Sequence, residues 1–253
     1  MADTKLQLLK APIIEAVLDI DCDMPPAFDL PALETASRDR FRDSYPKFRK
    51  ILMQEHPIET KPDAPPTTSF RHATQSLQLL HEDEKQLVQV RSQGFSFNRL
   101  APYTRLDDYL PEIERTWRTF ASIAAPVQIR AVHLRYINRI LLPMSGGSTD
   151  LDHYLKVGPR LPGGDNLTFT GFLDHHVAVE NATGNQVVTI LALQPPENEM
   201  LPLILDITVT SAGPAEVDDW AWILSRIQAL RGLKNSVFQN TLTERCLNLF
   251  QQP

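Results

Sequence analysis

Between Pro12 and Cys22 the chain alternates. Ile14, Ala16, Leu18, Ile20 and Cys22 fall on one parity and Glu15, Val17, Asp19 and Asp21 on the other, the period of a strand that buries one face. Met24-Pro25-Pro26 ends it, and a helix is predicted from about Asp29, which can cap it, with Leu33, Ala36 and Phe41 turned inward. Tyr45-Pro46 closes that helix, because proline disfavours helical geometry at the residue before it. Residues 57–68, rich in proline and threonine, read as an exposed loop. Sheet is predicted over 69–81 and 86–98, joined by the polar turn Glu82–Lys85, with Leu77, Leu79 and His81 alternating against Gln78 and Leu80. Leu110, Ile113, Trp117 and Phe120 then stand at helical spacing in a helix from about Leu106 to Ile123, closed by Ala125-Pro126.

The order then repeats. Val127 to Leu142 reads as a long strand broken by Pro143 and Gly146-Gly147, followed by a short helix at 149–157. Strands are predicted at 166–179, 186–194 and 201–211, the first two joined by the turn Glu180–Asn185, where Gly184 suits a positive φ. A helix from about Pro214 buries Val217, Trp220, Leu224 and Ile227, breaks near Gly232, and is followed by a helical piece over 234–250. Each half thus reads strand, helix, sheet, helix. The hairpin Leu77–Val90 has its counterpart in His176–Leu193. The expectation is an α+β protein in which a duplicated strand–helix–antiparallel sheet–helix unit, 1–125 and 126–253, forms one curved sheet with helices on one face.

This order resembles the TATA-box-binding-protein-like fold, in which two such units join through their first strands. A helix-grip arrangement, a curved sheet around a long C-terminal helix, is the competing architecture. Fold alone implies no function. The phrases Pro12-Ile-Ile-Glu-Ala16, Phe95-Ser-Phe-Asn-Arg-Leu-Ala-Pro-Tyr103 and Arg135-Tyr-Ile-Asn-Arg-Ile140, with the ending Leu233–Phe250, resemble a sporadically distributed bacterial family of uncharacterised proteins. That resemblance implies kinship and no activity.

Composition narrows the function classes. A net charge of −6 disfavours duplex DNA, whose binders draw affinity from a basic surplus. Apolar stretches are too short to span a membrane, and the N-terminus lacks a secretory pattern. Two distant cysteines, Cys22 and Cys246, form no disulfide framework, so a cytoplasmic setting is expected. No phosphate-binding loop, hydrolase elbow or cofactor fingerprint is present, since Gly146-Gly147 and Gly163-Gly164 lack the lysine and hydroxyl of a P-loop. Asp174-His175-His176 invites a metal, yet adjacent strand residues face opposite ways, so the two histidines do not share an ion.

The candidate chemistry lies in the strands. On Val127–Leu142, Val132, Leu134, Tyr136, Asn138 and Ile140 share one face and His133, Arg135, Ile137, Arg139 and Leu141 the other. If the halves join through their first strands, Glu15, Asp19 and Asp21 meet Arg135 and Arg139, either as a structural salt-bridge ladder or as a charged floor for an anionic or zwitterionic ligand. Arg99 and Tyr103 join Glu15, Asp19, Arg135, Asn138 and Arg139 as candidate ligand-binding residues. Trp222, about 200° round the helix from Trp220, is a candidate interface anchor together with Phe238, for a protein partner or a homodimer. The leading expectation is a non-enzymatic binding or regulatory protein whose partner is another protein or a small anionic ligand. The alternative is an enzyme acting on a phosphorylated or carboxylated small molecule at the charged sheet face. A third reading is single-stranded nucleic acid on the sheet, using Arg91, Arg99 and Arg135 with Phe97, and it predicts binding that weakens steeply with salt.

Overall fold

Eleven strands and four α-helices follow one another in the computed structural model, which describes residues 8–55, 58–61, 64–68, 71–158 and 169–251. The chain opens with strand β1 (Ile13–Asp23), helix α1 (Leu33–Phe41) and strands β2 (Lys47–Glu55), β3 (Ile58–Lys61), β4 (Ala64–Thr68), β5 (Arg71–Leu80), β6 (Gln86–Arg91) and β7 (Gly94–Leu100). Helix α2 (Leu106–Ala124) leads into strand β8 (Gln128–Pro143), and a 3-10 turn (Leu151–His153) precedes β9 (Leu173–Val179), β10 (Gln186–Leu193) and β11 (Met200–Ala215). Helices α3 (Trp220–Thr241) and α4 (Glu244–Asn248) end it.

Nine strands form one antiparallel sheet in the order β2-β5-β6-β7-β1-β8-β11-β10-β9, while β3 and β4 pair with each other. The halves meet at the centre, where β1 and β8 run antiparallel with Ala16 opposite Tyr136, Leu18 opposite Leu134 and Ile20 opposite Val132. Each half lays its last strand against its first, β7 on β1 and β11 on β8, and its other strands step outward in reverse order. Among the described residues the two connectivities correspond apart from α1, β2, β3 and β4 of the first half and α4 of the second.

Alternation decides the layers. Along β8 every even-numbered residue from Val132 to Leu142 is buried, and Ala16, Leu18, Ile20 and Cys22 of β1 join the same apolar cluster. The helices cover this face: Trp117 and Phe120 of α2 pack 5.8 and 5.7 Å, centroid to centroid, from Phe95 of β7, and Ile223, Ile227 and Leu230 of α3 are fully buried. Truncating a ring such as Trp117 or Phe120 to alanine costs roughly 3–5 kcal/mol in a core of this kind. Among the described residues no helix covers the opposite face beneath the centre of the sheet, and the charged parity of β1 and β8 lies there.

Several expected boundaries move. The span 86–98 is two strands, since Ser92 and Gln93 turn the chain and Gly94 takes φ +141°. A Cβ on Gly94 would sit 2.1 Å from the Ile20 carbonyl oxygen, so glycine is required where β7 starts beside β1. β2 lies in a stretch with no clear period, and β3 and β4 replace the loop expected at 57–68. The helix expected from about Asp29 begins at Leu33, and the last long helix begins at Trp220 rather than Pro214, capped by Asp219, whose side chain accepts from the Trp222 N–H at 2.9 Å. α3 continues through Gly232, because its buried stripe outweighs the roughly 1 kcal/mol that glycine costs a helix. The predicted strand start at 166 and the Gly163-Gly164 pair lie outside the described residues.

Candidate functional site

On the open face at the middle of the sheet, four strands place charged and hydroxyl side chains at matching heights. Antiparallel register puts Asp19 between Ser96 of β7 and His133 of β8, and Thr210 of β11 on the far side of His133. One row along, Val17, Arg135 and Thr208 line up, and Asp206 stands one step further on β11. Asp19, Asp21, Arg91, His133, Arg135, Asp206, Thr208 and Ile190 border a shallow depression of about 360 Å³.

Within it the partners are fixed. Arg91 Nη2 donates to Asp21 at 2.8 Å and lies 3.5 Å from Asp19, whose carboxylate also accepts from the Ser96 hydroxyl. His133 stands between Asp21 (Nε2, 3.1 Å) and the Thr210 hydroxyl (Nδ1, 2.9 Å). Arg135 donates from Nε at 3.0 Å and Nη2 at 2.5 Å to Asp206, a bidentate pair whose carboxylate is only 9% exposed while the guanidinium side chain is 44% exposed. Nη1 of Arg135 and the Thr208 hydroxyl have no hydrogen-bond partner among the described residues. On the β7 side, Glu15 accepts from Asn98 at 2.7 Å, and Gln89 extends that chain of amides to Ser76 and Gln78.

The electrostatics follow from these contacts. Burial works to raise the Asp21 carboxyl, but hydrogen bonds from His133 and Arg91 and the Arg91 charge outweigh it and bring its pKa down to about 2. The Asp206 hydrogen bond raises Arg135 further, against burial, and the charges of Glu15 and Asp19 add to it. Four carboxylates, of Glu15, Asp19, Asp21 and Asp206, thus face two guanidiniums, of Arg91 and Arg135.

The seven residues nominated by sequence do not form one site. Glu15, Asp19, Arg135 and Arg139 lie on the open face, as the alternation requires. The expected ladder between β1 acids and β8 arginines is nevertheless replaced. Arg135 is taken by Asp206, and Arg139 reaches Gln194 at 3.1 Å and Glu197 at 2.7 Å. Asn138 is 2% exposed on the helix side, donating to the carbonyls of Leu205 and Tyr136. Arg99 is also on the helix side, 5.4 Å from the Tyr109 ring centroid, and Tyr103 bonds the Tyr136 hydroxyl at 2.9 Å. Phe97, 3% exposed, lies on that face too, so the four residues named for single-stranded nucleic acid stand on two sides of the sheet. Phe238 is a core residue, 3% exposed and 6.2 Å from the Phe250 ring, so of the two nominated anchors only half-buried Trp222 offers any surface.

Sequence reasoning did not nominate His133, Asp206 and Thr208, and it named Asp21 only as part of the acidic row of β1 and Arg91 only for single-stranded nucleic acid. Asp21 and His133 were legible from the parity of β1 and β8. Asp206 was not, because a lone acid in the apolar strand β11 has no marker of its own.

Beneath the helices a second polar group appears. Lys234 Nζ of α3 lies 4.1 Å from the Tyr136 ring centroid and has no ion pair among the described residues. Burial and the neighbouring Arg231 push this lysine down to about 7, while burial raises Tyr136 to about 12 and Tyr103 further still. The cavity beside Tyr103 and Tyr136 is about 10 Å³, room for about one water molecule at most. Both cysteines are buried and free, their thiols raised to about 12 by burial. Among the described residues no group of three or more His, Cys, Asp or Glu side chains gathers to hold a metal ion, and no helix is long and apolar enough to cross a membrane.

Comparison with protein-family models, curated proteins and solved structures found no match to this chain.

Proposed function

We propose that this is a binding protein whose open sheet face seats a small ligand through an anionic group. The observation that carries the reading is the outer edge of Arg135. Asp206 holds the guanidinium still by its Nε–Nη2 side, leaving Nη1 aimed away from the pair, on a residue that stands opposite Thr208 in the register. A donor pair fixed in advance loses little freedom when it takes a carboxylate or phosphate. The surrounding surplus of carboxylates selects against a multiply charged anion. It favours a ligand that also carries a cationic group to meet Asp19 and Asp21, and Ile190 offers a contact for an apolar remainder. Amino acids, short peptide ends and phosphorylated amines have this chemistry, and the exposed terminus of a protein partner presents it equally. The likeness to the bacterial family is proposed as kinship, and it brings no activity.

The test is a thermal-shift series against zwitterionic and purely anionic small molecules at about 10 mM, enough to register a Kd near 1 mM. A zwitterion should raise the melting temperature of the wild type and not of Arg135→Ala. If none of the series does so, the ligand reading fails.

A second reading, an enzyme acting on a carboxylated or phosphorylated molecule, draws on the chain Asp21–His133–Thr210, an imidazole oriented by an acid and bonded to a hydroxyl. It is the weaker one. The strands around it use their backbone N–H groups in the sheet ladder, so no pair of backbone donors converges there on a developing negative charge.

A further inference from the structure

The two edges of the sheet differ. At one end β2 carries Lys47, Arg49 and Lys50, charges that natural sheets use to blunt an edge. At the other end β9, Leu-Asp-His-His-Val-Ala-Val, has no lysine, arginine, proline or bulge. It also extends past the helical layer. All its residues but Asp174 are exposed, with Leu173 at 72%, Val177 at 57% and Val179 at 59%. A seven-residue strand exposed on both faces, with Leu173, Val177 and Val179 on one of them, is poorly supported by its own chain.

Its hydrogen-bonding pattern identifies what is free. Leu193 donates to the Phe172 carbonyl and Glu180 to the Asn185 carbonyl, so the even-numbered residues of β9 face β10. By alternation, Leu173, His175, Val177 and Val179 turn their N–H and C=O groups outward, and their side chains share the open face of the sheet. A strand laid there antiparallel with His175 on a two-fold axis would pair His175 with itself and Leu173 with Val177. The same register sets Asp174 opposite His176 twice, on the other face. Asp174 and His176 already lie 3.0 Å apart within one chain, so this register gathers two acids and two imidazoles side by side across the junction.

We propose that a second copy of this chain docks on that edge, β9 against β9 about His175, joining the two nine-stranded sheets into one. The contact is isologous, as two-fold dimers require, and it buries exposed apolar residues that no other element covers among the described residues. It is independent of the ligand reading, which rests on Arg135.

Sedimentation velocity of the full chain at about 100 μM, well above a Kd of about 10 μM, should show a dimer. Val177→Lys should sediment as a monomer with an unchanged circular dichroism spectrum. Under mild oxidation His175→Cys should form a covalent dimer, the hydrogen-bonded pair placing the two Cα atoms about 5.5 Å apart, whereas Leu173→Cys, distant from its own copy, should not. A monomeric wild type overturns the proposal. So does a dimer that Val177→Lys leaves intact, or equal cross-linking of the two cysteine variants.

Discussion

Arg135 binds Asp206, not the acids of the strand that opens the chain. The guanidinium lies opposite Val17 on one side and Thr208 on the other, yet it closes on the carboxylate one step along β11. Glu15 and Asp19 act on it only through space. The geometry has a reason: Asp206 is nearly enclosed, and a buried carboxylate without a bidentate partner would lose its hydration uncompensated.

The pair should therefore break asymmetrically. Arg135→Ala strands the enclosed Asp206 carboxylate and should cost about 2–3 kcal/mol, whereas Asp206→Ala leaves a half-exposed guanidinium that water can solvate and should cost about 1 kcal/mol. Urea unfolding of both variants and the double mutant reads this directly. Equal costs, or a larger one for Asp206→Ala, would contradict the assignment.

Asp21 should shape the acid limb of stability. Its folded pKa, about 2, lies below the unfolded value of 3.8, so its contribution is fully present above pH 4 and is lost as pH falls through 2. Asp21→Asn should lower stability by about 1–2 kcal/mol at neutral pH and flatten the fall between pH 4 and 2. Melting temperatures of the two proteins across that window should converge toward pH 2; parallel curves would remove the claim.

Lys234 should act at the other end of the scale. Its folded pKa, about 7, lies below the unfolded value of 10.5, so the unfolded chain binds the extra proton between the two. Stability should rise with pH over that interval, because burying the ammonium costs most below pH 7. Lys234→Met should be more stable than wild type at pH 7 by about 1–3 kcal/mol, with the difference shrinking toward pH 10. A methionine variant that is less stable at pH 7 would show that the ammonium has an unrecognised partner.

Much of the fold was legible because strand alternation is a local property. The parity of Val132 to Leu142 assigned the buried and open faces of β8, and the same parity in β1 placed Glu15 and Asp19 opposite the helices. β2 escaped because a register shift between Ile51 and Leu52 interrupts its period of two. The turn at Ser92-Gln93 escaped because the need for Gly94 arises from Ile20, a residue of another strand. Asn138 and Arg99 were nominated for their chemistry although parity set them beneath the helices, where they satisfy the interior instead.

The amino-acid sequence by itself determined which side chains share a face and where most strands and helices lie. Those follow from the fixed periods of strand and helix along the chain. Only the tertiary structure decided that Asp206, 71 residues from Arg135, would claim it. It alone also left β9 beyond the reach of the helices. Partner choice across a sheet depends on the register of strands distant in sequence, and burial depends on which elements stop short. Neither is written in any local pattern.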